Sequence, residues 1–480
     1  MKRCRIEGHL RFESLARYCT RAKAAQNIQT TMPAFLDKLL KILQGRRGKD
    51  MRFLCRHLLS QRGEASQTAL AQEIINTYAA MDSVQRIRFY KMLSGEFSPD
   101  QKTLQRAATN YLENPNELNL SLLSAAVEPP RQELLRRINT APRGTETLVE
   151  IRKHLLDLPV KSPDISPLDA DLRHLFRSWF NRGFLSLRSI SWQTSALILE
   201  KLIRYESVHE INGWPDLRRR LQADRRCFAF FHPALVDEPI IFVEVALADG
   251  LTGDLERLLD LQAPVLAPDK VNTAIFYSIN NCLDGLRGIP FGNFLIKQVV
   301  VELAAEFPKM KNFCTLSPLP RFSQTLLDSD NEHGFTPRRL SALLADYTAT
   351  LTKAARRRDP VEAFFSLLEQ PVANRDVLAA PLSRMAFAYL TEARQNGKVF
   401  DPVAAFHLSN GARLEGINAF GNLRPYGLKA SFGITVNYRY VPDELEENHE
   451  RFVTAGQIRI SDGLSREREI VKKAWHADQT

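Results

Sequence analysis

TAIFYSINNCLDGLRGIPFGNFLIKQVVVELAAEFPKMKNFCTLSPLP, residues 273–320, decides how this chain is read. Residues 273–279 are a run of apolar, β-branched and aromatic side chains of strand type. A polar, Gly-containing loop follows at 280–291. Phe294, Leu295, Val299, Leu303 and Phe307 then recur at helical spacing on roughly one face. Pro308 stops that helix, because proline has no N–H and its ring crowds the preceding turn. Residues 312–316 form a second strand, which delivers Ser317 into a Ser-Pro-Leu-Pro turn. The order is strand, Gly loop, helix, strand. A loop entering a helix N-terminus offers free backbone N–H groups and the positive end of the helix dipole, and both favour a phosphate. A Gly in a strand-to-helix turn is more often only a turn, so the loop alone does not establish a function.

The flanking elements are mixed. Helices are expected at 194–204 and 216–223, then strands at 227–231 and 240–247 joined by a turn with Pro233, Asp237 and Pro239. Downstream come helices at 337–356, 360–369 and 376–392, and strands at 412–418 and 433–440. This order suits an α+β domain, a mixed sheet with helices on its faces. Upstream, 31–176 is helical in pattern. Apolar residues recur at threes and fours in 33–43, 67–80, 83–93, 100–111, 115–126, 130–137 and 145–158. Ser98-Pro99-Asp100 and Asn114-Pro115 read as helix starts. The expectation is an antiparallel helical bundle, and the lack of a fixed period argues against a solenoid. The Pro- and Ser-rich stretch 159–169 marks a boundary. A helix from near 168, carrying Leu172, Phe176, Trp179 and Phe180, is expected to dock one domain on the other. The chain thus divides into a basic start (1–30), a helical domain (31–176) and a mixed domain (177–480).

A chain of 480 residues with 44% hydrophobic and 25% charged content is built like an ordinary globular protein of two or three domains. No apolar run approaches the ~20 residues that cross a bilayer, and no secretory h-region follows Met1. Cys4, Cys19, Cys55, Cys227, Cys282 and Cys314 are scattered without CxxC spacing, which suits reduced thiols rather than disulfides or a zinc site. No metal site is expected. The net charge of +10 is concentrated at one end. Residues 1–60 hold 14 Lys and Arg against 4 Asp and Glu, and the other 420 residues balance at 51 each. Nucleic-acid binding and an organelle transit peptide are both readings of that start. The absence of interleaved aromatics and the presence of Glu7 and Glu13 favour a solvated, basic start instead. The expected compartment is the cytoplasm, with an organelle matrix as the alternative. The end, Asp478-Gln479-Thr480, carries no Ser-Lys-Leu signal.

Arg287, Gly288, Ile289, Pro290, Phe291, Gly292 and Asn293, followed by Phe294-Leu295-Ile296, resemble the pyrophosphate loop of GCN5-related acyl-CoA transferases. Gly292 matches the second glycine of that pattern. Pro290 stands where the first is expected, and proline cannot donate a backbone hydrogen bond. Longer blocks carry a more specific resemblance: FYSINNCLDGLRGIPFGNFLIKQV (276–299), FCTLSPLPRF (313–322), FHLSNGARLEGIN (406–418) and GITVNYRYVPDELEENHERFV (433–453). YESVHEINGWPDLRRRL (205–221) and RRCFAFFHP (225–233) add to it. Together, from about 172 to 460, they resemble the malonyl-CoA decarboxylase family, whose catalytic domain is similar to the acyl-CoA transferase fold.

The resemblance implies a thioester lying where the two middle strands splay apart, here 273–279 and 312–316. It places Ser317 and His407 on the family's catalytic serine and histidine. Taken alone, His407 reads as a structural histidine near the end of a short helix with Asp401 as cap, Pro402 at its first position and Asn410-Gly411 as its stop. Nothing in the residues themselves pairs it with Ser317. Loss of CO2 from malonyl-CoA leaves a thioester enolate, which needs hydrogen-bond donors at oxygen and a proton for carbon. The expectation is that Ser317 positions and polarises the malonyl group and that His407, titrating near neutrality, protonates the carbanion. No cofactor is implied, since the thioester is the electron sink. Asn437, Tyr438 and Tyr440 are second-tier candidates for fixing His407 or substrate. His57, His154, His174, His209, His232 and His449 read as structural or surface residues, and Glu446, Glu447 and Glu450 as a solvated helix face. The implied partners are malonyl-CoA and further copies of the chain, a dimer or tetramer through the helical domain, with no nucleic acid and no membrane span. An acyltransferase, or a non-catalytic acyl-CoA sensor, is the rival reading.

Overall fold

The computed structural model describes residues 50–61, 63–159, 162–289, 294–328 and 334–476. The basic start, the helix expected at 33–43 and the loop residues Pro290, Phe291, Gly292 and Asn293 lie outside the described residues. The chain forms two compact units. The first takes the described residues up to Leu148 together with Leu158–Leu172, and the second takes Val149–Asp157 together with everything from Arg173 onward. The stretch 149–157 falls within the span expected for the helical domain, but it packs with the second unit, where buried Arg152 bonds to the carbonyls of Gly285 and Arg287.

The first unit is helical among its described residues. A helix at Met51–Ser60, inside the stretch expected to be helical but not among its periodic segments, is capped by Asp50, whose side chain accepts from Arg52 N. Its C-terminal carbonyls Leu58 O and Leu59 O accept from Arg137 Nη1 at 2.7 and 3.0 Å, a cation placed where the helix dipole is negative. Leu70, Ile74, Leu93, Leu134 and Leu135 are buried, and the Tyr78 and Tyr90 hydroxyls meet at 2.7 Å inside this core. Asp100 caps Gln101–Glu113 as the pattern predicts, but the cap of Glu117–Val127 is Asn116 and not Asn114. Neither of these two helices buries a residue, and Leu112 (78% exposed) and Leu118 (70%) face solvent.

The second unit is built on one sheet. Its strands are β1 (Ser186–Ile190), β2 (Arg225–Phe231), β3 (Pro239–Ala248), β4 (Thr273–Asn281), β5 (Asn312–Thr315), β6 (Ser317–Pro318), β9 (Arg413–Asn418) and β10 (Thr435–Tyr440), while β7 (Arg394–Gln395) and β8 (Lys398–Val399) form a separate hairpin. The order is β1–β2–β3–β4–β5–β10–β6, with β9 also on β10. Pairing is antiparallel except for β4 with β5. That parallel pair needs a crossover, and the helix Phe294–Glu306 supplies it, burying Leu295, Ile296, Val299 and Leu303. The fold is therefore α+β, as the pattern predicts. Helices Ala196–Tyr205 and Trp214–Arg220 bury Ile198, Leu202 and Leu217 against Cys227, Ala229 and Phe242. Helix Leu255–Leu259 buries its leucines against Ala246, Ile275 and Leu316. The single helix expected at 337–356 is instead two, Pro337–Leu344 and Thr348–Ala355, separated by a tighter turn at Ala345–Tyr347. Buried Arg384 reaches the Leu343 carbonyl and Asp346 at that break, a tertiary demand that local propensity does not reveal.

Candidate active site

The site begins where β4 and β5 part. They pair from Thr273 with Asn312 to Phe276 with Thr315, and Leu316 N still donates to Phe276 O at 2.9 Å. Beyond that point the chain turns to β10, where Ser317 pairs with Val436 and Pro318 with Thr435. At the same level the register of β10 against β9 shifts between Asn437 and Tyr438. Side chains fill the broken ladder: Asn437 Nδ2 donates to Thr315 O (2.7 Å) and Thr252 O (3.1 Å), and Tyr438 N donates to Thr315 Oγ1 (3.1 Å). The parting opens a cavity of about 500 Å³. Ile241, Val243, Phe276, Ile279, Ile289, Leu295 and Val403 supply its hydrocarbon wall, with Ser278, Ser317 and His407 among its polar groups. No Asp, Glu, Lys or Arg is among the described residues that line it.

His407 is delivered by the helix Pro402–Ser409. Asp401 Oδ1 accepts from Val403 N and Ala404 N, both at 2.9 Å, and Tyr389 OH donates to Oδ2 at 3.0 Å. Gly411 ends the helix at φ +83°, where an added Cβ would lie 2.1 Å from Leu445 O, so glycine alone fits. The His407 ring lies flat against Tyr438, centroids 4.8 Å apart and planes at 23°. Its Nε2 is 3.1 Å from Ser317 Oγ and its Nδ1 is 2.7 Å from Tyr440 OH. Ser317 Oγ in turn donates to Thr315 Oγ1 at 2.8 Å. Burial lifts the Tyr440 phenol well above its usual range, so it keeps its proton. With that phenol donating to Nδ1, the ring proton sits on Nε2 and faces Ser317. The hydroxyls and the ring then donate in one direction, from Tyr440 to His407 to Ser317 to Thr315.

A histidine of ordinary pKa would titrate near neutrality. His407 does not: it is fully enclosed, and desolvation of the charged ring pushes it down to about 3. The expectation of titration near neutrality is therefore corrected: the ring is a neutral imidazole with an N–H aimed at the serine.

The family description of the malonyl-CoA decarboxylase C-terminal domain matches residues 183–479, and that of the N-terminal domain matches residues 97–180. The chain belongs to the malonyl-CoA decarboxylase family. The mitochondrial malonyl-CoA decarboxylase of Anser anser anser is 33% identical over 352 residues, 70% of this chain and 68% of the relative. That of Mus musculus is 31% identical over 354 residues, 71% and 72%. The crystal structure of malonyl-CoA decarboxylase from Rhodopseudomonas palustris superposes with TM-score 0.77 at 42% identity, covering 87% of this chain and 99% of that one.

In this malonyl-CoA decarboxylase family chain, the structure brings Ser317, His407, Tyr438 and Tyr440 together and leaves Asn437 one step away, bracing Thr315 and accepting from Asn418 Nδ2 at 2.8 Å. Of the loop residues, exposed Arg287 pairs with Asp284 at 2.8 Å, Gly288 stands at φ +75° and buried Ile289 lines the cavity. Sequence reasoning missed Thr315, Tyr389 and the polar floor beneath β4. There Ser278 Oγ and Asn280 Nδ2 each donate to Glu206 Oε2 at 2.7 Å, and Glu206 also caps Val208 N and His209 N. Ser278 and Asn280 interrupt an otherwise apolar strand, which was the available signal. Burial drives His209 down to about 3 and lifts nearby Glu244 to about 8, the latter against the pull of Arg220. His232 is held between Trp179 O and Ala234 N, a structural role. Glu446 and Glu447 pair with Lys297 and Arg451 on an exposed helix face.

Proposed function

We propose that this chain decarboxylates malonyl-CoA to acetyl-CoA and CO2, with the acyl end in the gap between β4 and β5. The observation that carries the reading is the Tyr440–His407–Ser317 chain of donors at the wall of a cavity with no charged side chain among its described lining residues. Past Phe276 the edge of β4 that met β5 has no strand partner among the described residues, so its backbone groups suit the amides of a pantetheine arm. Among the described residues, the malonyl carboxylate meets hydrocarbon, serines and asparagines rather than a cation. A cation there would stabilise the carboxylate that has to be lost.

Cleavage of the bond between the α-carbon and the carboxylate leaves its electron pair on the thioester as an enolate. With substrate in the gap, the Ser317 O–H turns from Thr315 and the His407 Nε2–H from Ser317, and both stabilise charge at the thioester oxygen, the term that is usually largest in such reactions. The enolate carbon is basic enough to take the Nε2 proton from a neutral imidazole. As that N–H breaks and the C–H forms, the Tyr440 O–H stays donated to Nδ1 and steadies the charge left on the ring, and Nε2 takes its replacement proton from water. One proton is consumed for each CO2 released, and no metal, biotin or pyridoxal is called for.

The test uses malonyl-CoA alone, with acetyl-CoA followed by mass spectrometry. Ser317→Ala and His407→Ala are each expected to lower turnover by about 10²–10⁴ with melting temperature nearly unchanged. Wild-type turnover in both variants overturns the mechanism. Transfer of the acyl group to an added amine or carrier thiol, with malonyl-CoA otherwise intact, supports an acyltransferase instead.

The reading extends to assembly and compartment. We propose a homo-oligomer, dimer or tetramer, joined through the helical unit, a reading supported by the exposed leucines of Gln101–Glu113 and Glu117–Val127. No helix among the described residues is long and apolar enough to cross a membrane. Cytoplasm is the compartment we favour, and the mitochondrial relatives keep an organelle matrix as the alternative.

A further inference from the structure

Arg152 is 2% exposed and does not line the cavity, yet it grips the turn that leads into it. Its Nη1 donates to Gly285 O at 2.7 Å and to Arg287 O at 2.8 Å. The turn sits directly on the helix Gly144–Leu156, so close that a Cβ on Gly285 would lie 2.0 Å from Val149 O. Within the turn, Leu286 N donates to Leu283 O, Arg287 N to Asp284 O and Ile289 N to Leu286 O, at 2.9, 3.0 and 3.0 Å. The Gly288 N–H, between them, has no acceptor among the described residues. The peptide joining Arg287 to Gly288 is trans, since no cis bond occurs among the described residues. Across a planar trans peptide the carbonyl and the following N–H point oppositely. While Arg152 holds the Arg287 carbonyl inward, the Gly288 N–H must face outward, and Gly288 is exposed. Its φ of +75° is one that side-chain-bearing residues rarely adopt.

We infer that Arg152 is a positioning residue for the nucleotide end of the substrate: by holding the Arg287 carbonyl it aims the Gly288 amide at a CoA diphosphate oxygen. This rests on the reading of the chain as a CoA-thioester enzyme. A backbone N–H facing an anion makes a charge-assisted hydrogen bond. With the carbonyl released, the peptide is free to rotate and that donor is no longer fixed in advance. Arg152 touches neither the acyl group nor Ser317 and His407, so its effect belongs to binding and not to the chemical step.

The experiment compares malonyl-CoA with malonyl-pantetheine, which carries the same thioester and no nucleotide. Wild-type enzyme is expected to show a lower KM for malonyl-CoA. Arg152→Met is expected to raise that KM about tenfold, while kcat, and both parameters for malonyl-pantetheine, stay within about twofold of wild type. Arg152→Lys keeps one cationic donor, is the milder change for folding, and is expected to fall between. Equal losses on both substrates in the variants would mean that Arg152 supports the fold generally, and the inference is overturned. Equal KM values for the two substrates in wild type would instead remove the phosphate-binding reading of the turn, and the inference with it.

Discussion

Replacing Tyr440 by Phe removes one oxygen and leaves the ring. That oxygen is 2.7 Å from His407 Nδ1, and both residues are buried. Without it, Nδ1 is a buried acceptor with no donor, a loss of about 1–3 kcal/mol. The ring proton is then free to move to Nδ1, which points Nε2 at Ser317 with a lone pair and not an N–H. If the whole loss falls on the transition state, kcat drops between about fivefold and 150-fold, with KM little changed. Tyr438→Phe is the internal control. Its ring stacks on the same imidazole, but its hydroxyl is buried without a partner among the described residues. Removing that oxygen relieves an unsatisfied group, so stability is expected to rise by roughly 1 kcal/mol, with kcat within about threefold of wild type. Steady-state formation of acetyl-CoA and thermal melts of both variants decide the matter. Wild-type kcat in Tyr440→Phe, or equal losses in the two variants, would refute the assignment of the ring proton to Nε2.

Two further outcomes are expected. His209 and His407 are both held near pKa 3 in the folded protein against about 6.5 unfolded. As pH falls below about 6.5 the unfolded chain binds these protons first, so the stability they contribute is complete above that pH and is lost on the way down to about 3. At pH 5 the loss is about 2 kcal/mol for each ring, read as a fall in the urea midpoint from pH 7.5 to 5, and a flat midpoint would contradict it. Leu112→Asp with Leu118→Asp is expected to lower the molar mass in sedimentation equilibrium without unfolding the helices. An unchanged oligomer would place assembly elsewhere.

The strand–loop–helix–strand core was legible because the hydrophobic period switches within 273–320 from strand to helix and back. β1 was not, since Ser186, Arg188 and Ser189 are exposed and leave no apolar alternation to read. The helix around Asp401-Pro402 was legible from its cap. Its meeting with Ser317 was not, because the two residues are 90 positions apart and only the family resemblance joined them. The pKa of His407 was unreadable for a related reason: a side chain's burial is a property of the folded site, not of its neighbours in sequence. Arg152 had a signal that went unused. Leu148 and Leu155, four before and three after it, put it on the buried stripe of its helix, where an unpaired charge is not tolerated.

Among the described residues, the gap between β4 and β5 is lined by serines, asparagines, one uncharged imidazole and hydrocarbon. On the proposed reaction such a surroundings treats an acetyl group about as well as the carboxylated acyl group it came from. The nucleotide and pantetheine portions are the same before and after turnover, so they cannot tell the two thioesters apart. Product is then held nearly as firmly as substrate and competes with it as it accumulates. Direction is set by the departure of CO2, a small apolar molecule with nothing in that gap to retain it, and not by any preference of the site for the molecule it consumes.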